Sequence, residues 1–226
     1  MPRVTDLPAL RTAARERADV REAYIGNAQL NRLINAQLAR LYRLLVKVNK
    51  DFYYDEQTVS VVAGTADYAL AADFWRVLGV DVQDGTNWYS LLRYNFAERN
   101  RYQNSSTKKG TRYRVQGNNL RLAPNPQWSG DVRVTYIPAP PVLTDVTPGT
   151  SDQWDGFAGF EELAVVWCVI AIKNQQEEDV QAEILESKAL IADIHNSAST
   201  RDDAEPPRVR DVSAELAGEA WPWWND

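Results

Sequence analysis

A chain of 226 residues, 44% hydrophobic and 25% charged, is long enough for one large or two small packed units and has globular composition. A single cysteine, Cys168, excludes an internal disulfide, and a single histidine, His195, excludes a histidine-rich metal site. A net charge of −6 argues against affinity for free nucleic acid at physiological salt. No basic segment followed by an apolar one opens the chain, so no secretory signal is expected. The longest apolar run, Leu163–Ile172, is too short to span a bilayer. These features predict a soluble protein made in the cytoplasm, with no membrane partner. Cys168 lies inside that run and reads as a small core residue.

The charge is unevenly distributed. Residues 1–51 carry ten basic and five acidic side chains, residues 52–150 ten and nine, residues 151–199 two and ten, and residues 200–226 three and seven. A basic front and an acidic back are complementary. They can pair first helices with last ones inside one subunit, or pack subunits head to tail. Two unrelated solvated faces are the plainer alternative.

In chain order, Thr5 or Asp6 can cap a short helix over about 7–17, with Pro8 tolerated in the first turn. Asn27 is expected to cap a longer helix to about Val48. Its apolar positions Leu30, Leu33, Ile34, Leu38, Leu41, Leu44, Leu45 and Val48 recur every three or four residues. Strands are expected at Gln57–Val62, Tyr68–Leu70 and Arg76–Val82, and Asp73 can cap a single helical turn. Asp84-Gly85 signals a hairpin returning along Asn87–Leu92. Asn95 is placed to cap a short helix to about Tyr102, and Asn104–Gly110 reads as a polar loop. A second hairpin spans Arg112–Gln116 and Leu120–Ala123. Val132–Ile137 reads as a closing strand, ended by the prolines of Pro138–Pro141.

Val142–Asp155 reads as a linker. The helix that follows, about Gly159–Gln175, is apolar on most sides, which suits a central buried helix. Glu161 and Glu162 in its first turn complement the helix dipole. The acidic break Glu177–Asp179 starts a last helix to about Ala198, with Val180, Ile184, Leu185, Ile191 and Ile194 as its stripe. Residues 201–226 lose helical periodicity and end in Trp221-Pro222-Trp223-Trp224.

No motif for catalysis stands out. There is no glycine-rich phosphate loop with a lysine, no G-x-S-x-G and no H-E-x-x-H. Paired acids at helix starts are better explained by capping and solvation than by glycoside chemistry. The chain therefore reads as a non-enzyme with no cofactor and no metal. Two features remain. The stretch Arg93–Arg114 interleaves Arg93, Arg99, Arg101, Lys108, Lys109, Arg112 and Arg114 with Tyr94, Phe96, Tyr102 and Tyr113. That suits contact with a nucleic-acid backbone, or a solvated surface whose aromatics pack inward. The other is the terminal tryptophan cluster. Trp221, Trp223 and Trp224 are costly to leave in water and read as an anchor for a partner or neighbouring subunit.

Several segments together resemble a known family. They are Leu10-Arg11 with Arg15 and Arg17 ahead of Ala18-Asp19, then 28–35 (AQLNRLIN), Tyr68-Ala69-Leu70 with Asp73-Phe74, and 76–80 (RVLGV). Then follow 96–100 (FAERN), 113–117 (YRVQG), 120–124 (LRLAP) and 134–140 (VTYIPAP). In this order, over about residues 5–210, the chain resembles the head-to-tail adaptor (connector) proteins of tailed bacteriophages. The resemblance implies an α+β fold: an antiparallel helical bundle of N- and C-terminal helices, a β-rich insertion between them, and an extended C-terminal tail.

The corresponding division is 1–51 and 142–199 for the bundle and its linker, 52–141 for the insertion, and 200–226 for the tail. The resemblance also implies a virion structural protein of the neck, made in the host cytoplasm. It implies a ring of roughly twelve copies joining the portal to the tail or nozzle and lining a channel for genomic DNA. Portal or neighbour contact is expected at Trp221, Pro222, Trp223 and Trp224. Tail or neighbour contact is expected at Asn104, Lys108, Lys109 and Arg112. A tail-completion or tail-tube protein, a sugar-binding tail protein and a nucleic-acid-binding regulator are the alternatives.

Overall fold

A computed structural model describes residues 4–49, 53–98, 101, 107–144, 153–155 and 159–199. Within them the fold is mixed α+β, with four α-helices, two four-stranded sheets and one two-stranded pairing. The tryptophan tail and Asn104 lie outside the described residues.

Helix α1 (Leu7–Ala18) starts where Asp6 accepts a hydrogen bond from the Ala9 N–H at 2.9 Å, with Pro8 in its first turn. Asp19, in the left-handed region, ends it. Helix α2 (Asn27–Val48) starts at the expected residue, but the cap differs. Gly26 is the N-cap, and the Asn27 side chain accepts from Arg15 at 2.8 Å and donates to Glu22. Arg15 also donates to the Ile25 carbonyl at 2.9 Å, so one guanidinium fixes the turn between the helices. The predicted stripe of α2 is inside: Leu30, Ile34, Leu38, Leu41 and Leu45 are buried.

Helix α3 (Glu161–Gln175) buries an unbroken run from Leu163 to Val169, and Ile172 beyond it. A helix buried on every side needs neighbours on every side. It packs against α1, α2 and the last helix, α4 (Gln181–Ser199). The four helices share one apolar core, with Leu7, Leu30, Leu163, Val169 and Ile194 at its centre. On α4 the stripe is narrower than predicted. Ile194 is buried and Leu190 and Ile191 partly so, whereas Leu185 is 65% exposed because Ser187 takes the inward position.

The strands are β1 (Val4–Asp6), β2 (Asp55–Val61), β3 (Asp67–Ala69), β4 (Phe74–Asp84) and β5 (Asn87–Ser90). They continue with β6 (Leu92–Arg93), β7 (Arg112–Gln116), β8 (Asn119–Ala123), β9 (Gly130–Pro138) and β10 (Gln153–Asp155). One sheet has the order β2-β9-β4-β5 and the other β3-β8-β7-β6. All pairings are antiparallel except β6 with β7. Both hairpin predictions hold, with Gly85 and Gly117 supplying the positive φ that each tight turn requires.

Four expectations for these elements are corrected. Asp73 starts no helical turn; its carboxylate accepts from the Tyr136 hydroxyl at 3.1 Å, and β4 begins beside it. The return strand from the first hairpin is split. Leu91 is buried and hydrogen-bonds Val80 at 2.7 Å, after which the chain leaves for the other sheet as β6. Asn95 opens a 3₁₀ turn at Phe96–Glu98 rather than an α-helical one, and Arg99, Asn100 and Tyr102 of the expected helix lie outside the described residues. The strand expected to close the sheet, β9, lies inside it, between β2 and β4.

Alternate residues of the two sheets meet in a second core. Val59, Val61, Val80, Val82, Val132, Val134 and Tyr136 from the first sheet face Tyr113, Leu120 and Leu122 from the second. The two cores are joined by a small third cluster of Tyr42, Val46 and Ile137, with Tyr53 and Leu78 against it. Its construction depends on two register shifts in β4, around Trp75 and Leu78. An extra residue in one strand re-aims its side chain. Leu78 thereby packs on the Tyr42 cluster, and the Trp75 ring comes within 6.0 Å of Tyr42. Tyr42 stacks on Tyr53 at 4.3 Å and donates its hydroxyl to the Pro138 carbonyl at 2.7 Å.

The segment expected to be a linker is tied to both ends of the helical region. Leu143 is buried in the helical core, and Asn35 holds its backbone twice: N–H to Oδ1 at 2.8 Å and Nδ2 to the carbonyl at 2.9 Å. Further on, β10 pairs with β1 at the start of α1.

Candidate functional site

Of the candidate contact residues of the β-rich stretch, Lys108 and Lys109 sit beside the tip of the β4–β5 hairpin. Thr107 accepts from the Gly110 N–H at 3.2 Å and caps a 3₁₀ turn, Lys108–Gly110. The buried Thr111 hydroxyl donates back to the Thr107 carbonyl and accepts from the Trp128 indole at 3.3 Å. This turn aims two lysines at the hairpin. Lys108 donates to the Gln83 carbonyl at 3.1 Å, with its ammonium 5.6 Å from the Trp128 ring centre. The Lys109 ammonium lies 3.7 Å from the Tyr89 ring centre and 3.6 Å from Asp84. A hydrogen bond with Tyr89 and the Asp84 carboxylate hold the Lys109 pKa above the usual lysine value. Arg112 begins β7, opposite Ala123.

Lys108 and Lys109 are thus brought to one hairpin and partly committed to it, whereas Arg112 lies between β6 and β8. Lys109 remains half exposed and available to an external partner. In the interleaved stretch Arg93–Arg114, Tyr94 and Tyr113 face inward, whereas Phe96 is exposed with the Arg114 guanidinium 5.0 Å from its ring. Among the described residues of this stretch, two of the three aromatics pack inward rather than forming a platform of stacked rings.

Other titratable groups have structural surroundings. Burial pushes the Cys168 thiol up to about 12, as expected of an inert core residue. Burial and the hydrogen bond to Asp73 push Tyr136 up to about 12. His195 is on the exposed side of α4. Among the described residues, no three histidine, cysteine or carboxylate side chains gather as a metal site, and no helix is long and apolar enough to cross a membrane.

The basic front and acidic back meet inside the subunit at Arg17. Arg17 of α1 pairs with Glu162 of α3 at 3.4 Å and with Glu186 of α4. Arg40 of α2 lies 4.1 Å over the Trp167 ring. The remaining cations of α2 have no such partner among the described residues; the sequence sets a basic front against an acidic back, but the reading of it did not mark this helix as lacking acids. The signal was available, because no acidic residue occurs between Asn27 and Val48.

Residues 5–211, nearly the whole chain, match the SU10 adaptor protein family. The chain belongs to that family. The resemblance to phage head-to-tail adaptors drawn from its short motifs is thereby upheld, and the protein is a phage structural adaptor. A search of curated proteins gave no match to this adaptor.

Proposed function

We propose that this adaptor forms a ring, of roughly twelve copies, that joins the portal to the tail or nozzle in the virion neck and lines the channel for genomic DNA. The family match over residues 5–211 carries this reading. Its mechanism is assembly rather than catalysis, with no cofactor. The single helical core and the small Tyr42 junction support a further division. Residues 1–51 and 142–199 act as an antiparallel helical bundle that builds the ring, and 52–141 project from it as a docking insertion. The inward packing of Tyr94, Tyr113 and Tyr136 favours this role over sugar binding.

In this reading residues 200–226 are an anchor. Trp221, Trp223 and Trp224 leave water on docking to the portal or a neighbouring subunit, and Pro222 limits the conformations lost. Asn104, Lys108, Lys109 and Arg112 contact the tail or a neighbour. The test mixes purified adaptor with portal rings and reads co-sedimentation and ring images. A closed adaptor ring on the portal is expected, lost on deletion of 200–226. An adaptor that stays unbound and monomeric beside portal rings refutes the proposal.

A further inference from the structure

Helix α2 carries no acidic residue over its 22 residues, in a chain whose net charge is −6. Arg32, Arg40, Arg43 and Lys47 are exposed along it. Steps of eight, three and four residues put all four on one stripe about 22 Å long. Among the described residues none reaches a carboxylate of its own subunit. Arg43 bonds only the Ala39 carbonyl of its own helix, and Arg40 rests on Trp167. Contrast α1, where Arg17 takes two carboxylates and Arg15 a carbonyl and an amide.

The opposite charge is equally unmatched at the turn between α3 and α4. Glu177, Glu178 and Asp179 are exposed there, Asp179 accepts only from the Gln181 N–H at 3.0 Å, and among the described residues none of the three forms an ion pair. Lys173, whose charge Glu178 and Asp179 feel, is held by Glu183 at 2.6 Å.

We infer that the basic stripe of α2 docks the acidic α3–α4 turn of a second copy of this chain. Two unneutralised faces of opposite sign that do not meet within one subunit are neutralised between subunits. Like charge opposes the symmetric alternative, α2 against α2. The contact is heterologous, the kind that closes into rings. It deepens the ring reading and rests on it.

The test uses full-length protein and two exposed double variants, Arg43→Glu/Lys47→Glu and Glu178→Lys/Asp179→Lys. Far-UV circular dichroism checks that each is folded. Sedimentation velocity should show the wild type associating at low salt and dissociating as salt is added. Each variant should weaken association roughly tenfold or more, and an equimolar mixture of the two should restore it. Association that both variants leave unchanged overturns the contact, as does a wild type that is monomeric at low salt. Portal co-sedimentation separates the two claims. Rings that form on the portal with both variants keep the ring reading and sink this contact. Failure of the wild type to form rings, with charge-dependent association intact, does the reverse.

Discussion

In the helical region one element, α3, is buried on every side from Leu163 to Val169, and α1 and α2 add single buried stripes. In the sheet region no strand plays that part. Single residues alternate inward from many short strands, so Val80 and Val82 of β4 meet Val132 and Val134 of β9. The first core is built around one element buried on all sides, and the second has no such element. A defect should therefore cost more in α3 than in any one strand. It should stay local, because the regions meet mainly through Tyr42, Val46 and Ile137.

The largest expected effect is in the first turn of α3. Leu163→Ala removes a fully buried side chain from between three helices and should cost about 2–5 kcal/mol. Val134→Ala, equally buried in the sheets, removes fewer carbons and should cost about 1–3 kcal/mol. Urea unfolding of both variants measures the difference. Equal losses would break the contrast.

Next is the tie between α2 and the segment after β9. Asn35→Ala leaves the Leu143 N–H and carbonyl without their partners beside a buried side chain. The expected cost is about 1–3 kcal/mol. Because the residue belongs to the helical side, amide exchange should rise at Leu143 and in α2 and not in β4 or β9. Increased exchange in the sheets would show that the two regions are one cooperative unit.

How much of this was legible in the sequence depends on the range of the interaction. The spacing of Leu30, Ile34, Leu38 and Leu41, the all-round apolar α3 and the Asp84-Gly85 turn are local signals, and each was read correctly. What stayed hidden was long-range. Asn27 has the chemistry of a cap, but Arg15 claims its oxygen from another helix. Asp73 is likewise claimed by Tyr136. Leu91 looks like a strand residue but falls between β5 and β6, where the chain changes sheets. Tyr42 falls off the predicted stripe because its partners are the bulged residues of β4, and no period within α2 reports them. The candidate contact residues were found by composition alone. Only the fold shows that Lys108 and Lys109 lean on their own hairpin.

A smaller effect probes the junction itself. Tyr42→Phe keeps the ring stacked on Tyr53 and deletes the bond to the Pro138 carbonyl. About 1 kcal/mol should be lost. Far-UV circular dichroism, dominated by the helices, and a fluorescence probe on the sheets should then unfold at less coincident denaturant concentrations than in the wild type. Unchanged coincidence would mean that apolar contact at Val46 and Ile137 suffices to couple the regions.

The smallest effect is electrostatic and lies wholly in the helical region. Lys173 and Glu183 pair at 2.6 Å across the α3–α4 connection. The hydrogen bond from Lys173 lowers the Glu183 pKa, and the same bond from Glu183 raises that of Lys173. A carboxyl whose pKa falls on folding contributes stability above its unfolded value, and the contribution is lost as pH falls through the folded value. A lysine whose pKa rises contributes below its unfolded value and loses that contribution as pH rises through the folded one. The pair is therefore fully formed between roughly pH 5 and pH 10, the span between the unfolded values of the two groups. Glu183→Gln should flatten the acid side of the stability profile by a small amount, and added salt should shrink even that difference. Because the pair lies far from the Tyr42 cluster in the chain, the change should appear in the helical signal and leave the sheet transition where it is. A sheet transition that moves with it would carry the coupling through the junction and undo the separation of the two cores.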